Sequence, residues 1–292
     1  MKIGFIGAGS MGGAIIKGLL KAEAVKKEHL YVKGGSSGTA EALQKEWGFQ
    51  LVTDYALFQE CKVIFIATGA KVVLPVLQEL APHFSNESLL ISVATGHTIQ
   101  EAQMALGNKE AKVVHAIPNT PVSVNQGVIG VALAPTIEGQ TKELVMELLA
   151  TLGLVKEIRE AQLETFGTVA GCSPAFVDIF MEALGDAAVL EGLPRDLSYE
   201  IVAQMIKGTA TLALDTKKHP GALKDEVTSP GGSTIRGVVA LEKNGFRYAV
   251  MDAVQQANHE YMKKVGKSTS LSFFQLSLCH IFRRKEQSQF LF

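Results

Sequence analysis

The stretch Ile3-Gly4-Phe5-Ile6-Gly7-Ala8-Gly9-Ser10-Met11-Gly12 decides how the first half of the chain is read. A short apolar run ends in glycines at positions 7, 9 and 12, and residues 11–22 then carry apolar side chains at helical spacing. This predicts a strand, a tight turn and a helix. Gly7 permits the turn off the strand, Gly9 lets a diphosphate approach the backbone, and Gly12 lets the helix pack closely on the strand. The helix start, at Ala8, Ser10 and Met11, offers free N–H groups and the positive end of a dipole to an anion. A glycine-rich turn that binds nothing has the same local composition, so context carries the weight.

That context is a regular alternation. Strand-like runs recur at residues 2–6, 30–32, 50–52, 63–67, 89–93, 112–116, 128–133 and 155–157. Amphipathic stretches lie between them at 11–22, 39–47, 71–81, 99–106 and 138–151. The pattern predicts βαβ units and a parallel sheet covered on both faces, an α/β domain of Rossmann type. It changes near Ala161. From there to about Lys264 no strand is evident, and residues 176–191, 198–216 and 246–265 show helical spacing. Turns at Gly192-Leu193-Pro194, His219-Pro220-Gly221 and Ser229-Pro230-Gly231-Gly232 separate them. The expected organisation is therefore an NADP-binding domain over 1–160, an all-helical substrate and dimerisation domain over 161–271, and a tail over 272–292. The tail keeps no steady period and reads as a frayed end. Residues 184–214 are apolar on more than one helical face, which predicts burial against a second copy of the chain.

Composition narrows the function classes. The 292 residues suit two domains, with 47% apolar and 20% charged residues and a formal charge of -1. That balance offers no cationic excess for a nucleic-acid partner. Cys61, Cys172 and Cys279 are too few and too scattered for a disulfide framework or a zinc site, and reduced cysteines fit a cytoplasmic protein. The seven histidines show no metal-ligand spacing. No signal segment is visible at the start, and the most apolar stretch, 63–77, is broken by Lys71 and Pro75, so no membrane partner is expected.

The end of the second strand bears on cofactor choice. An acidic residue there would bind a ribose 2′-hydroxyl and repel a 2′-phosphate. This chain has no Asp or Glu between Leu30 and Ala40, while Lys33, Ser36 and Ser37 supply a cation and hydroxyls. NADP(H) is the expected cofactor, with an ordinary solvated loop as the alternative. Further candidate cofactor residues follow other strands: Ala67 and Thr68, Ala94, Thr95 and Gly96, and Pro118, Asn119 and Thr120. A proline-bracketed Asn-Thr makes a rigid polar loop that suits a carboxamide, or a stiff turn with no ligand. At Gly171-Cys172-Ser173-Pro174, small residues suit close approach of a flat ring, and Ser173 reads as a cap before Pro174. Residues 229–234 are short, polar and glycine-rich ahead of an apolar helix. They read either as an N–H nest for a carboxylate or as a plain helix cap.

Taken in order, Gly7 to Gly12, Pro118-Asn119-Thr120-Pro121, Gly171 to Phe176 and Asp225 to Thr234 resemble pyrroline-5-carboxylate reductase over residues 1 to about 270. The block after His219-Pro220 and Leu223-Lys224-Asp225 is the most specific part. The resemblance implies reduction of the cyclic imine L-1-pyrroline-5-carboxylate to L-proline by hydride from NADPH, with NADH the alternative donor. It places the substrate carboxylate on Ser229, Gly231, Gly232, Ser233 and Thr234, and the Thr234 hydroxyl near the ring nitrogen as the catalytic group. It also implies a homodimer with interlocked helices, often assembled into a decamer. The chain departs from the family pattern with Cys172, Ser173 and Phe176, with His115 and Ile117 where Arg and Met are common, and with Gly69-Ala70 in place of Lys-Pro. These changes bear on cofactor contacts more than on the fold. Two rival readings are a β-hydroxyacid dehydrogenase and a non-catalytic NADPH-binding oligomer. The first usually carries a catalytic lysine where this chain has none between Gly171 and Glu191.

Overall fold

A computed structural model describes residues 1–264; the expected tail at 272–292 lies outside the described residues. Eight strands form one sheet: β1 Ile3–Ile6, β2 Leu30–Lys33, β3 Gln50–Leu51, β4 Val63–Ile66, β5 Leu89–Ser92, β6 Lys112–Pro118, β7 Gly127–Leu133 and β8 Gly153–Glu157. Their spatial order is β3-β2-β1-β4-β5-β6-β7-β8. Five helices connect them: α1 Ser10–Lys21, α2 Thr39–Trp47, α3 Val73–Leu80, α4 Ile99–Ala105 and α5 Gly139–Ala150. Every residue of β1, β4 and β5 is buried, as expected of strands covered on both faces. Phe5 stacks on Phe65 at 4.5 Å between ring centroids across the β1–β4 pair.

The sheet departs from the all-parallel expectation in one place. β7 runs antiparallel to β6, and β8 then pairs parallel to β7. The reason is the connection. Only a short 3₁₀ turn, Thr120–Val124, lies between β6 and β7, and a parallel return needs a crossover of a dozen or more residues. β6 also runs on through Pro118, two residues past the expected end at Ala116.

Beyond β8 the described chain is helical: α6 Leu163–Gly167, α7 Ser173–Leu190, α8 Arg195–Thr216, α9 Pro220–Glu226, α10 Ser233–Lys243 and α11 Phe246–Lys264. A π-helical turn, Thr168–Cys172, joins α6 to α7. The residue before Ser173 has helical backbone angles, so Ser173 is not a cap and Pro174 does not start the helix. The Ser-Pro signal was local, but the helix begins earlier, at Leu163, and the wide turn accommodates the proline's missing N–H. α6 rests on the sheet: Phe166 lies against Gly130, where a Cβ would sit 2.7 Å from the ring, and Gly167 meets Ile117.

The later helices are packed sparsely. Within one chain α7 buries only Gly185, α8 only Ser198 and Val202, and α10 nothing. Among the described residues, no helix is long and apolar enough to cross a membrane.

Candidate active site

A cleft of about 360 Å³ opens at the carboxyl ends of β1, β2 and β4, where ligands of open α/β sheets collect. Its floor is Gly7, Ala8 and Gly9. Gly7 has φ 101°, a left-handed conformation that favours glycine, and a Cβ there would meet the Ala67 carbonyl oxygen at 2.4 Å. At Gly9 a Cβ would meet nothing within 4 Å, so the space over the turn is free. Gly12 lies below, where a Cβ would come within 2.3 Å of the Gly7 carbonyl oxygen. Gly9 caps α1 without a side-chain hydrogen bond, leaving first-turn N–H groups of Ser10 and Met11 available.

One wall of the cleft is the turn after β2, including Lys33, Ser37 and Thr39. Lys33 is less free than expected: its Nζ donates to the Thr53 carbonyl at 2.8 Å and lies 4.9 Å from the Tyr55 ring centroid. The Ser37 and Thr39 hydroxyls lie 3.0 Å apart at the start of α2, whose N-cap, Gly38, provides no side-chain hydrogen bond. Ser36 does not line the cleft. The opposite wall is Thr68, Gly69, Val72 and Val76 after β4, with Tyr55 completing it. Burial pushes the Tyr55 phenol up to about 12, with Glu79 adding to the shift. Thr68 Oγ1 is buried with no hydrogen-bond partner. Thr39, Tyr55, Val72 and Val76 were missed in the sequence. The i, i+4 spacing of Val72 and Val76 was the available signal, masked because it also describes an ordinary core face.

The remaining candidate cofactor residues fall into two groups. Ala94, Thr95 and Gly96 form the turn after β5, at the same edge of the sheet. A Cβ on Gly96 would lie 3.1 Å from Ala70 Cβ, next to the cleft wall at Gly69. Pro118 ends β6, and Asn119 points inward: its Nδ2 donates to the Ala170 carbonyl at 3.1 Å and its Oδ1 accepts from Val128 N at 2.9 Å. The Ala170 carbonyl belongs to the π turn. The amide expected to face a carboxamide is therefore engaged in joining two motifs that the sequence kept separate, and Thr120 opens the 3₁₀ turn that follows.

At the other end of the described chain, Gly231 has φ 70° and Gly232 is the N-cap of α10, again without a side-chain cap. Gly232 N donates to the Ser229 carbonyl at 3.1 Å, and Ser229 Oγ occupies the place a Gly232 Cβ would take. Ser229, Gly231, Ser233 and Thr234 are exposed. The contrast with α4 is plain: there Thr98 and Glu101 form a capping box that satisfies the helix start. α1 and α10 are glycine-capped and open, each able to receive an anion. Residues 229–234 do not line the dinucleotide cleft of the same chain.

Residues 160–264 match the family model described as pyrroline-5-carboxylate reductase dimerisation, and residues 2–96 match one described as NADP oxidoreductase coenzyme F420-dependent. The pyrroline-5-carboxylate reductase of Escherichia coli (strain K12) is 37% identical over 268 residues, 91% of this chain and 99% of that protein. The chain belongs to the pyrroline-5-carboxylate reductase family. Within the family, the crystal structure of the Plasmodium falciparum enzyme with NADP bound superposes with a TM-score of 0.80 at 33% identity, covering 91% of this chain and 98% of that one. The Coxiella burnetii family structure gives 0.79 at 30% identity, covering 92% and 99%. Among the described residues no group of three or more His, Cys, Asp or Glu is placed to hold a metal ion.

Proposed function

We propose that this chain reduces L-1-pyrroline-5-carboxylate to L-proline with NADPH. The observation that carries the reading, beside family membership, is the pair of open, glycine-capped helix starts, one at α1 and one at α10. The residues at the first fit a dinucleotide: free space above Gly9, an unpartnered Thr68 hydroxyl on the wall, and an apolar face at Val72 and Val76 for a flat base. Lys33 with the Ser37 and Thr39 hydroxyls at the start of α2 suits a 2′-phosphate, which supports NADPH over NADH.

Bound in this cleft, NADPH supplies the hydride. The chain supplies position. The N–H groups at the start of α10, with Ser229 and Ser233, hold the substrate carboxylate, and the Thr234 hydroxyl orients the ring nitrogen. A protonated imine is already strongly electrophilic at carbon, so a hydroxyl that orients is sufficient and no stronger acid is required. The exposed apolar faces of α7 and α8 support self-association through the helical region. A second copy would also bring an α10 cradle toward a dinucleotide cleft. The domain limits at residue 160 and a location in the cytoplasm belong to the same reading.

The test is NADPH oxidation by the full chain with pyrroline-5-carboxylate, beside linear 2-keto and 3-keto acids. Turnover of the imine alone is expected. Thr234→Ala should lower kcat at least about tenfold while NADPH affinity stays unchanged. Turnover of a keto acid without turnover of the imine overturns the substrate, and an unchanged kcat removes Thr234.

A further inference from the structure

Three titratable side chains meet beneath the turn after β5, outside the groups assigned above. His115 stands in β6 opposite Ser92, the last residue of β5. Its Nε2 donates to the Ala94 carbonyl at 3.1 Å, and its Nδ1 lies 3.5 Å from Glu160 Oε1. The same carboxylate oxygen accepts the Ile99 N–H at 2.6 Å, the first residue of α4. Glu160 stands just before α6, where the helical half begins. His115 and Glu160 therefore hold both ends of the turn from Ala94 to Ile99 and fasten it to the junction between sheet and helices. His97 lies inside this turn, its ring centroid 4.8 Å from that of His115, and both rings are nearly fully buried.

The energetics agree with a fixed device. His115 beside it holds the Glu160 carboxyl below the usual carboxylate range. Burial, with His115 nearby, pulls His97 down to about 4, so it packs as a neutral ring; neither of its nitrogens makes a well-formed hydrogen bond. Glu101 and Glu160 are the carboxylates acting on His97, and both oppose the downward shift. The turn has little slack: Gly96 is left-handed at φ 84° and abuts Ala70, beside the cleft wall at Gly69.

We propose that His115 and Glu160 are positioning residues that clamp the turn from Ala94 to Ile99 beside the dinucleotide cleft, so that bound NADPH is held for hydride transfer. Neither is a catalytic residue. The role in turnover rests on the reductase reading; the clamp itself does not.

Three variants of the full chain separate the two. His115→Phe keeps a ring against His97 and removes both polar contacts. His115→Gln retains an N–H for the Ala94 carbonyl. Glu160→Gln retains an acceptor for Ile99 and loses the charge. His115→Phe is expected to speed amide exchange across residues 94–99 about tenfold relative to β1 and β4. It should lower kcat about tenfold with KM for NADPH within about threefold, because misplacement reduces transfer more than binding. His115→Gln should restore most of the protection and most of kcat. Glu160→Gln, the milder change, should move both in the same direction as His115→Phe. Exchange at 94–99 matching wild type in both His115→Phe and Glu160→Gln overturns the clamp. Faster exchange with wild-type kcat overturns its part in the reaction. If His115→Phe opens the whole sheet, Glu160→Gln decides by the same two readouts. A wild-type chain that binds NADPH and leaves the imine untouched defeats the reductase reading, and the exchange comparison still judges the clamp.

Discussion

Gly9 and Gly12 share one motif and obey different constraints. A Cβ on Gly12 would press on the Gly7 carbonyl at 2.3 Å and on Ala67 Cβ at 3.0 Å, so Gly12→Ala should destabilise the ligand-free protein by about 1–3 kcal/mol in urea denaturation. A Cβ on Gly9 meets nothing, so Gly9→Ala should stay within about 1 kcal/mol of wild type, the small effect of an altered cap. It should nonetheless weaken NADPH binding at least about tenfold by intruding on the diphosphate. Equal NADPH affinity in Gly9→Ala would place the dinucleotide elsewhere. His97 makes a second residue-level case. Its folded value of about 4 lies below the ordinary 6.5, so the unfolded chain binds the extra proton between those values. Stability is intact above about pH 6.5 and falls as pH drops toward 4, by on the order of 3 kcal/mol. His97→Leu should flatten that fall in denaturation midpoints taken from pH 7 to pH 4. The glycines were legible because each job leaves its mark within one turn of chain. The pair His97 and His115 was not, because only the β5–β6 register brings them together.

At the scale of elements, spacing revealed the helices and strands, while the junctions depended on partners distant in sequence. The Ser-Pro at 173–174 reads locally as a helix start, yet α6, the π turn and α7 are one continuous run. What settles the π turn is Asn119, across the sheet, donating to the Ala170 carbonyl. On the other side the buried Thr168 hydroxyl bonds Asn258 of α11 at 3.1 Å. Asn119 is nearly fully buried, so Asn119→Ala leaves the Ala170 carbonyl and the Val128 N–H without partners and should cost about 3 kcal/mol. Asn119→Asp keeps the acceptor for Val128 but sets a buried carboxylate against the Ala170 carbonyl oxygen, and should cost at least as much as alanine. Urea midpoints for the two variants measure the order. An alanine variant within about 1 kcal/mol of wild type would mean that the π turn does not depend on this amide. The reversal at β7 was equally hidden from periodicity, since strand direction follows from connection length and not from the strand's own residues.

The described residues of one chain leave much of the apolar surface of α8 uncovered. Ile201, Met205 and Leu212 are all exposed and fall on one face of that helix; Leu190 at the end of α7 is 84% exposed. Burying a side chain of this size stabilises by about 1.5–3 kcal/mol, so a continuous stripe left in water is a strong drive to associate. The sequence showed this surface as helices apolar on more than one face and predicted a second copy of the chain as its cover. The proposed reaction gives the covering a second consequence. Residues 229–234 do not line the cleft over Gly7 to Gly9 in their own chain, which favours completion of the site by another copy. Replacing Met205 and Leu212 together by Glu puts two carboxylates into the stripe. Sedimentation should then report a monomer that binds NADPH with wild-type affinity, because the cleft is built within one chain. Imine reduction should drop by at least about a hundredfold if a second copy completes the site. A monomer that reduces the imine at the wild-type rate would instead mean that both cradles close within a single chain. The double substitution leaving the oligomer intact would mean that the apolar face of α8 is not where the copies meet.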